Sequence, residues 1–399
     1  MAFKVPPFIS QDRLRCVSGP QGPRVLLDGR PVLLLCSSNY LGLADHPRVR
    51  EAAAEAAMRY GAGAGASRLL SGNMTIHRRL EEQLAEFHGA ETCLLFGSGF
   101  LANAGAVPAL AREGDVVFSD ALNHASIVDG CRLSRAETFV YDHRDVDHLA
   151  WGLRQAEGRS ALIATEGVFS LDGDTAPLAE IVELARCHNA RVMVDEAHCT
   201  GCMGPGGRGL VAGMGLEEEV DVVVGTLGAA LGSYGAYVLC EVSMAKHLIG
   251  AVRTLIHSTA LAPPAVAAGM AALELLREQP RRVDKLQRNA RVLRDALREA
   301  GLAARHGETP IVPLVVGESG TAAAAADRAL ERGVFAQVIL PPAVPPGGSR
   351  LRLAVMASHT KSELREAAGV LAASLPAAVR TGSPARERAR VFDGLADAA

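Results

Sequence analysis

An acidic residue at the end of an apolar run is the first whose type and place could do chemistry. Asp195 closes the run 192–194, and His198 follows in the next turn. A pyridoxal ring is an electron sink only while its pyridine nitrogen stays protonated, and a buried carboxylate on a rigid element keeps it so. Asp195 fits that task. Taken alone, the turn is equally typical of an acidic loop residue beside a hydrogen-bonded histidine.

A phosphate group needs backbone donors and hydroxyls. Ser98, Gly99 and Phe100 open the apolar helical run 101–111, and N–H groups at a helix start bind phosphate. Thr226 could add a hydroxyl. A lone Ser-Gly pair is also typical of a plain strand-to-helix turn, so this interpretation depends on the other residues.

An imidazole and a guanidinium are two further candidates. His124 follows the candidate strand 116–118, where its ring could stack on a planar cofactor, although a capping or core histidine is the alternative. Arg352 alternates with Leu351 and Leu353, so it lies on the face opposite the core side chains, and its fixed fork suits an α-carboxylate. The alternative is a surface arginine on an edge strand.

The run 222–235 predicts a buried strand that leads into a loop of small residues. A loop of this kind presents a Schiff-base lysine to pyridoxal phosphate (PLP), and that lysine would stand where the sequence has Ala229. Without it the chain lacks the covalent anchor and the local base for an amino acid's α-proton, and Lys246 is well along the chain. We expect severely reduced turnover but not loss of cofactor binding.

Two glycine- or cysteine-containing motifs are set aside. Cys199 and Cys202 have the spacing of a redox or zinc motif, but no second pair has matching spacing, so we expect no metal site. The stretch 61–65 lacks the Gly-x-Gly-x-x-Gly pattern and follows a helix rather than a strand. We interpret it as a close-packed loop near the site.

Periodic hydrophobicity predicts the scaffold for these residues. Helical stretches alternate with short β-branched runs, which indicates an α/β fold with a mostly parallel central sheet covered by helices. A long charged helix then leads into a smaller α+β C-terminal domain. The helices are predicted at 47–60, 77–88, 178–188, 283–300 and 361–375, and the strands at 161–164, 191–194, 221–224, 310–316 and 350–355. The predicted regions are an N-terminal arm 1–45, a large PLP-binding domain 46–280, a small domain 281–380 and a polar tail 381–399.

Length and composition exclude several classes of protein. The 399 residues, 49% of them hydrophobic, can bury a large core. A net charge of −3 with both signs interspersed offers no surface for nucleic acid or an anionic membrane. The charge-free runs 93–111 and 222–240 are interrupted by glycines, so no membrane span is expected. The N-terminus has no signal-peptide pattern, and the scattered cysteines fit a reducing cytoplasm.

In this order the segments resemble the α-oxoamine synthases, fold-type I PLP enzymes of the aspartate aminotransferase type. Members of that family condense an amino acid with an acyl thioester and release carbon dioxide. The resemblance runs from about Asp12 to Leu375. The segment 165–174, TEGVFSLDGD, favours the branch that joins L-alanine to a pimeloyl thioester for biotin synthesis. Supporting segments are 40–43, 71–73, His77 with 80–81, and 258–259.

The resemblance implies roles at matching positions. Asp195 would pair with the pyridine nitrogen, His124 would stack on the ring, and His198 would lie near the ring hydroxyl. The other implied cofactor contacts are Ser98, Gly99, Phe100, Glu166, Ser170 and Thr226, with Ser258 or Thr259 reaching the phosphate from the second subunit of a homodimer. The implied substrate contacts are Arg352 for the carboxylate, Asn39 and Arg15.

Two positions depart from the family pattern. Ser38 stands where an asparagine is common, and Ala229 replaces the lysine. The survival of the other roles favours an engineered lysine-to-alanine form of an active enzyme over a natural pseudoenzyme. The rival interpretation is a non-catalytic subunit that supports a second chain. The substrates also stay open: glycine with acetyl-CoA, serine with palmitoyl-CoA, or a dedicated acyl carrier protein.

Overall fold

The computed structural model describes residues 14–380, so the predicted tail 381–399 and residues 1–13 of the predicted arm lie outside the described residues. The strands are β1 (Val17–Ser18), β2 (Arg24–Leu27), β3 (Arg30–Leu34), β4 (Thr92–Phe96), β5 (Val116–Asp120), β6 (Glu137–Tyr141), β7 (Ala161–Glu166), β8 (Arg191–Asp195), β9 (Val222–Thr226), β10 (Ala236–Cys240), β11 (Ile311–Gly317), β12 (Val334–Phe335), β13 (Gln337–Ile339) and β14 (Ser349–Ala354). The α-helices are α1 (Pro47–Tyr60), α2 (Thr75–His88), α3 (Gly99–Leu110), α4 (Ala125–Ser134), α5 (Val146–Gln155), α6 (Leu178–His188), α7 (Leu210–Met214), α8 (Val242–Ala251), α9 (Arg253–Ile256), α10 (Pro263–Glu278), α11 (Arg281–Glu299), α12 (Ser319–Glu331), α13 (Lys361–Ser374) and α14 (Ala377–Arg380).

The described residues form two compact units. Unit 1 contains residues 14–45, 171–173 and 284–380. Unit 2 contains residues 46–170 and 174–283. Each unit has its own sheets and its own core, so each is described by itself.

Unit 2 is built on a seven-stranded sheet with the order β4-β10-β9-β8-β7-β5-β6. The neighbours from β9 to β6 pair in parallel, whereas β10 is antiparallel to both β4 and β9. Every residue of β5, β7 and β10 is buried, as expected for strands covered on both faces. The predicted α/β fold with a mostly parallel sheet is confirmed.

Helices cover both faces of this sheet. Apolar side chains of α3, α4, α8 and α9 form one core layer, and those of α5, α6 and α7 form the other. Helix α3 is apolar around its whole circumference, which suits a helix buried on all sides. Gly225 in β9 faces the ring of Tyr237 in β10, where an added Cβ would lie 2.1 Å from Tyr237 Cζ. Only glycine therefore fits at that point of the central sheet.

Unit 1 contains two small sheets, with orders β1-β2-β3-β12 and β11-β14-β13. Its main core joins these strands to α11, α12 and α13, and a capping box between Thr360 and Glu363 begins α13. Arg352 lies on β14 between the buried Leu351 and Leu353, as the alternation predicts. Because β14 is the middle strand of its sheet, the alternative of an edge-strand arginine is wrong.

Other sequence-based expectations have mixed outcomes. Helices α1 and α6 have the predicted bounds, and α11 begins two residues earlier than predicted. The interpretation of 61–65 as close-packed is wrong, because Cβ atoms added at Gly61, Gly63 and Gly65 would meet nothing within 4 Å. None of the helices in 14–380 combines the length and the apolar character needed to cross a membrane.

Candidate active site

Three acidic residues end neighbouring parallel strands of unit 2. Asp120 ends β5, Glu166 ends β7 and Asp195 ends β8. The carboxyl ends of parallel strands share one edge of a sheet, where ligands bind in open α/β folds. The candidate site lies at this edge.

Asp195 is buried, with 6% of its surface exposed. Its Oδ2 accepts a hydrogen bond from Asn103 Nδ2 at 2.5 Å, and its Oδ1 accepts one from the backbone N–H of Ala197 at 2.8 Å. Burial raises the pKa of this carboxyl, while the Asn103 and Ala197 hydrogen bonds and the nearby His124 act in the opposite direction. The structure thus provides the buried carboxylate at a strand end that the sequence predicts.

Asn103 was not identified from the sequence, although it joins two predicted site residues. It is fully buried on α3, and its Nδ2 also donates to Ser126 Oγ at 3.0 Å. Ser126 Oγ lies 2.6 Å from Nδ1 of His124, the exposed N-cap residue of α4. A single asparagine inside an apolar helix was the available signal, because a buried amide requires partners. We call Asp195, Asn103, Ser126, His124 and Glu166 the Asp195 cluster.

Glu166 is buried beside Asp195. Its Oε2 accepts the backbone N–H of Ser170 at 3.1 Å, whereas its Oε1 is buried and has no partner among the described residues. Burial and the neighbouring Asp195 raise the pKa of Glu166 well above its usual range. Burial and the Asp195 charge therefore favour the protonated form of Glu166, and its Oε1 is available to a group bound at the site.

The start of α3 has the form of an anion site. Ser98 is the N-cap residue, and its Oγ accepts the N–H of Leu101 at 3.2 Å. The N–H groups of Gly99 and Phe100 donate to no acceptor in the described part of the chain. A Cβ added at Gly99 would meet nothing within 4 Å, and Phe100 is 45% exposed. Open space in front of free N–H groups suits a phosphate.

The turn between β9 and β10 holds Thr226 and Ala229. Thr226 Oγ1 accepts the N–H of Gly228 at 3.0 Å and donates to the carbonyl of Gly235 at 3.1 Å. Ala229 is 4% exposed, and its carbonyl accepts the N–H of Gly232 at 3.0 Å. The methyl group of Ala229 is therefore enclosed in an ordered turn at the end of a central strand.

No other lysine of unit 2 is placed to replace one at position 229. The lysines of the sequence are Lys4, Lys246, Lys285 and Lys361, of which only Lys246 belongs to unit 2. Lys246 is exposed on α8, a helix that packs beside α9 and β4 and follows the last strand of the sheet. The described residues of unit 2 therefore offer no lysine amine buried at the sheet edge.

The remaining predicted cofactor residues are also placed in unit 2. His198 and Ser170 are half-buried, in the turns after β8 and β7. Ser258 and Thr259 follow α9, and Thr259 forms an isolated β-bridge with Ser67. Whether these residues contact a cofactor stays a prediction.

The three predicted substrate residues belong to unit 1. Asn39 uses its side chain within unit 1: Oδ1 accepts the N–H of Leu43 at 3.0 Å, and Nδ2 donates to the carbonyl of Gln21, between β1 and β2, at 2.8 Å. Arg15 forms an exposed ion pair with Asp28 at 3.3 Å. Arg352 is half-buried on β14, and its substrate role stays a prediction.

A second polar group, which we call the His143 cluster, contains His143, Asp120, Asp174 and Arg144. His143 Nδ1 lies 2.8 Å from Asp120 Oδ1, and its Nε2 lies 3.1 Å from Asp174 Oδ2. Burial alone would lower the pKa of His143, but hydrogen bonds to both carboxylates and their charges raise it to about 9. The sequence analysis missed this cluster, for which the only signal was a histidine shortly after the strand that ends at Tyr141.

The CxxC segment is buried and carries no metal-like grouping. Burial raises the pKa of both Cys199 and Cys202, which keeps these thiols protonated. Across residues 14–380, no three His, Cys, Asp or Glu side chains are grouped as metal ligands would be.

The residues at the sheet edge fit PLP. The open N–H groups at the start of α3 suit its phosphate, and the Asp195 carboxylate suits a protonated ring nitrogen. The unpartnered Glu166 Oε1 shows that the buried polar groups are not fully satisfied within the described chain. An incoming polar ligand would satisfy them.

Comparisons with known proteins agree with this fit. Residues 30–371 match the family "Aminotransferase class I and II". An 8-amino-7-oxononanoate synthase from Geobacter sulfurreducens is 50% identical over 362 residues, covering 90% of this chain and 93% of that protein. The enzyme of the same name from Symbiobacterium thermophilum is 47% identical over 361 residues, covering 90% and 92%.

Solved structures show the same architecture. A lysine-to-alanine variant of serine palmitoyltransferase from S. paucimobilis, with a bound PLP-myriocin aldimine, has a TM-score of 0.88 at 32% identity and covers 92% of this chain and 93% of its own. The 8-amino-7-oxononanoate synthase from Francisella tularensis has a TM-score of 0.75 at 25% identity, covering 86% and 97%.

The chain thus belongs to the class I and II aminotransferase family, whose members of this type are fold-type I PLP-dependent transferases. Within that class it is an α-oxoamine synthase, an acyltransferase that uses an amino acid and an acyl thioester. It is of the type that acts in biotin biosynthesis.

Proposed function

We propose that this chain is the lysine-to-alanine form of an enzyme that joins L-alanine to a pimeloyl thioester. The reaction forms a bond between the α-carbon of alanine and the thioester carbonyl carbon, and releases carbon dioxide and the free thiol. The names of the relatives at 50% and 47% identity support the product, 8-amino-7-oxononanoate. The observation that carries the proposal is the Asp195 cluster at the sheet edge, beside an anion site at α3.

PLP, when bound, supplies the electron sink that stabilises negative charge at the amino acid's α-carbon. Asp195 would keep the ring nitrogen protonated, and the N–H groups of Gly99 and Phe100 with the Thr226 hydroxyl would hold the phosphate. His124 would face the ring, and Arg352 would bind the substrate carboxylate. The buried Glu166 would exclude water from the edge beside Asp195. These residues bind and orient; in this proposal the missing amine at position 229 would have moved the α-proton.

One observation supports Ala229 as the position of the lost lysine, and a second supports cofactor binding without that lysine. Ala229 lies in the ordered turn that follows β9, close in sequence to Thr226. The S. paucimobilis relative, with one lysine changed to alanine, carries a PLP adduct, so such a change is compatible with cofactor binding in this family. We therefore expect this chain to bind PLP without a covalent lysine link and to turn over very slowly.

The absence of a lysine at position 229 also fits one rival, a non-catalytic subunit that supports an active partner chain. In that case a lysine at position 229 would restore nothing.

We also propose a symmetric homodimer, in which Ser258 or Thr259 completes the phosphate site of the other subunit, and a cytoplasmic location. Light scattering with PLP bound reports the oligomeric state.

The test is the Ala229→Lys variant, with Ala230→Lys as its matched control. Ala230 is the adjacent buried alanine, 1% exposed. A lysine there should destabilise the fold to a similar extent but lies one residue away from the position of the lost lysine. We expect Ala229→Lys to gain the absorbance of a lysine-linked cofactor and about a hundred- to ten-thousandfold in thiol release. Ala230→Lys should gain neither.

The substrates are tested by measuring thiol and carbon dioxide release from a panel. L-alanine with pimeloyl-CoA should exceed glycine with acetyl-CoA and serine with palmitoyl-CoA, and the pimeloyl carrier-protein thioester tests the carrier. If Ala229→Lys binds PLP covalently but releases no thiol from any pair, the partner-subunit interpretation replaces this proposal.

A further inference from the structure

One amide group connects the two ends of the Asp195 cluster. Asn103 Nδ2 carries two hydrogens, and the structure shows an acceptor for each: Asp195 Oδ2 at 2.5 Å and Ser126 Oγ at 3.0 Å. The Ser126 hydroxyl continues the path to His124 Nδ1 at 2.6 Å. Asp195 and His124, which have no direct hydrogen bond in this set, are thereby joined through two fully buried side chains.

The direction of every hydrogen bond in this path is fixed by its donors. The backbone N–H of Ser126 donates to His124 Nδ1 at 3.2 Å, and a backbone N–H can only donate. His124 Nδ1 is therefore an acceptor and the ring proton is on Nε2. The Ser126 hydroxyl then donates to Nδ1, and its oxygen accepts from Asn103. A reversed Asn103 amide would turn its oxygen toward the Asp195 carboxylate, which is repulsive.

Stability alone does not account for this placement of Asn103. Its Oδ1 is buried and has no partner among the described residues, although an unsatisfied buried carbonyl is unfavourable. The surrounding helix is apolar, so a leucine, which has the same branched shape, would suit an apolar core there. What asparagine provides there is two donors from one atom, aimed at two different acceptors.

We propose that Asn103 is a positioning residue: one hydrogen of its amide orients the ionised Asp195 carboxylate, and the other, through Ser126, holds His124 as the neutral Nε2–H tautomer. This inference rests on the proposed PLP site. A neutral imidazole can stack on a ring whose nitrogen is protonated, whereas an imidazolium would repel it. Asn103 thus couples an ionised acid and a neutral base of the proposed PLP site.

The experiment uses the full-length chain labelled with ¹⁵N-histidine, with and without PLP, and NMR to read the protonation of each ring nitrogen. His124→Gln assigns the His124 signals. In the unmutated chain we expect Nδ1 unprotonated and Nε2 protonated. Asn103→Leu should produce a mixture of tautomers and weaken PLP binding roughly tenfold or more, because a hydrogen bond to a charged group is lost.

Ser126→Ala separates the two arms of the path. It removes one atom, so it keeps the test decisive should Asn103→Leu fail to fold. We expect it to increase the population with Nδ1 protonated while leaving PLP affinity within about threefold, because the Asn103–Asp195 bond remains. Ser134→Ala is the matched control: Ser134 is a buried serine of the same helix whose hydroxyl donates to Cys131 O at 2.6 Å, outside the path.

Three results would overturn the proposal. They are His124 signals that do not change in Asn103→Leu and Ser126→Ala, a protonated Nδ1 in the unmutated chain, and an equal change in Ser134→Ala. Because the tautomer is read without PLP, it decides on Asn103 even if no variant binds PLP. A failure of every variant to bind PLP would count against the proposed function instead.

Discussion

The Asp195 cluster and the His143 cluster lie at the same edge of one sheet, but their carboxylates have different partners: a histidine cation in the His143 cluster and neutral donors at Asp195. Asp120 and Asp174 bracket His143, whose pKa is raised to about 9, so their charges are balanced within the protein. The donors shown at Asp195 are the neutral groups of Asn103 and Ala197, and burial raises the pKa of Asp195.

This difference is the one expected between a structural ion group and a binding site. A balanced group gains little from a further cation, whereas a buried carboxylate held by neutral donors gains from one. The protonated nitrogen of PLP is such a cation. Each of the following changes tests whether the two clusters have these separate roles.

The largest effect is expected from Asp195→Asn in the Ala229→Lys background. Thiol release should fall by about a hundred- to ten-thousandfold, because the ring nitrogen loses its ionised partner. The matched change Asp120→Asn should instead lower the free energy of unfolding by about 3 kcal/mol, since it leaves a half-buried His143 cation with one partner fewer. Turnover assays and urea denaturation of both variants measure this. Loss of turnover in the Asp120 variant and loss of stability in the Asp195 variant would reverse the two roles.

The pH dependence of stability sharpens the comparison. An unfolded histidine titrates near pH 6.5, and the pKa of folded His143 is about 9. The stabilisation is therefore fully present below pH 6.5 and is lost as pH rises through 9, amounting to about 3 kcal/mol at most. Urea denaturation between pH 6 and 10 should show this loss. In His143→Gln the loss should disappear; a curve of the same shape in both proteins would contradict the assignment.

The smallest effect is expected from Glu166→Gln. The raised pKa of Glu166 favours its protonated form, so a neutral amide of the same shape should change the free energy of unfolding by about 1 kcal/mol or less. Asp174, whose pKa is lowered mainly by His143 against the effect of burial, should cost more when changed to Asn. Thermal melts of the two variants compare them. A larger loss for Glu166→Gln would show that this acid is ionised.

The sequence predicted the scaffold well because its signals are local. The periodicity of α1 and α6 predicts their type and bounds, and the β-branched runs of β7 and β8 predict these strands to within two residues at their C-terminal ends. The antiparallel direction of β10 was not predicted, because a buried apolar run carries no information on strand direction. The place of Arg352 on a middle strand was not predicted either, because it requires β14 to pair with both β11 and β13, and the residues of β14 alone do not reveal these partners.

The site was predicted only in part, because local sequence signals do not reveal partners that are distant along the chain. Asp195 and Ser98 follow from their positions at element ends, which a single sequence shows. Asn103 and His143 act through residues that are far away along the chain, Asp195 for the first and Asp174 for the second. Such partners become visible only once the sheet order brings them together.

The antiparallel strand β10 has a consequence for how unit 2 is assembled. In the sheet, β4 pairs only with β10, although most of unit 2 separates the two along the chain. During synthesis β4 and the following helix α3 must therefore wait, with an unpaired strand edge, until the last strand of the sheet emerges. Closing so long a loop is slow and leaves apolar surface exposed to aggregation. The proposed phosphate-binding end of the site is thus the part whose formation completes the domain, and its folding depends on the turn that carries position 229.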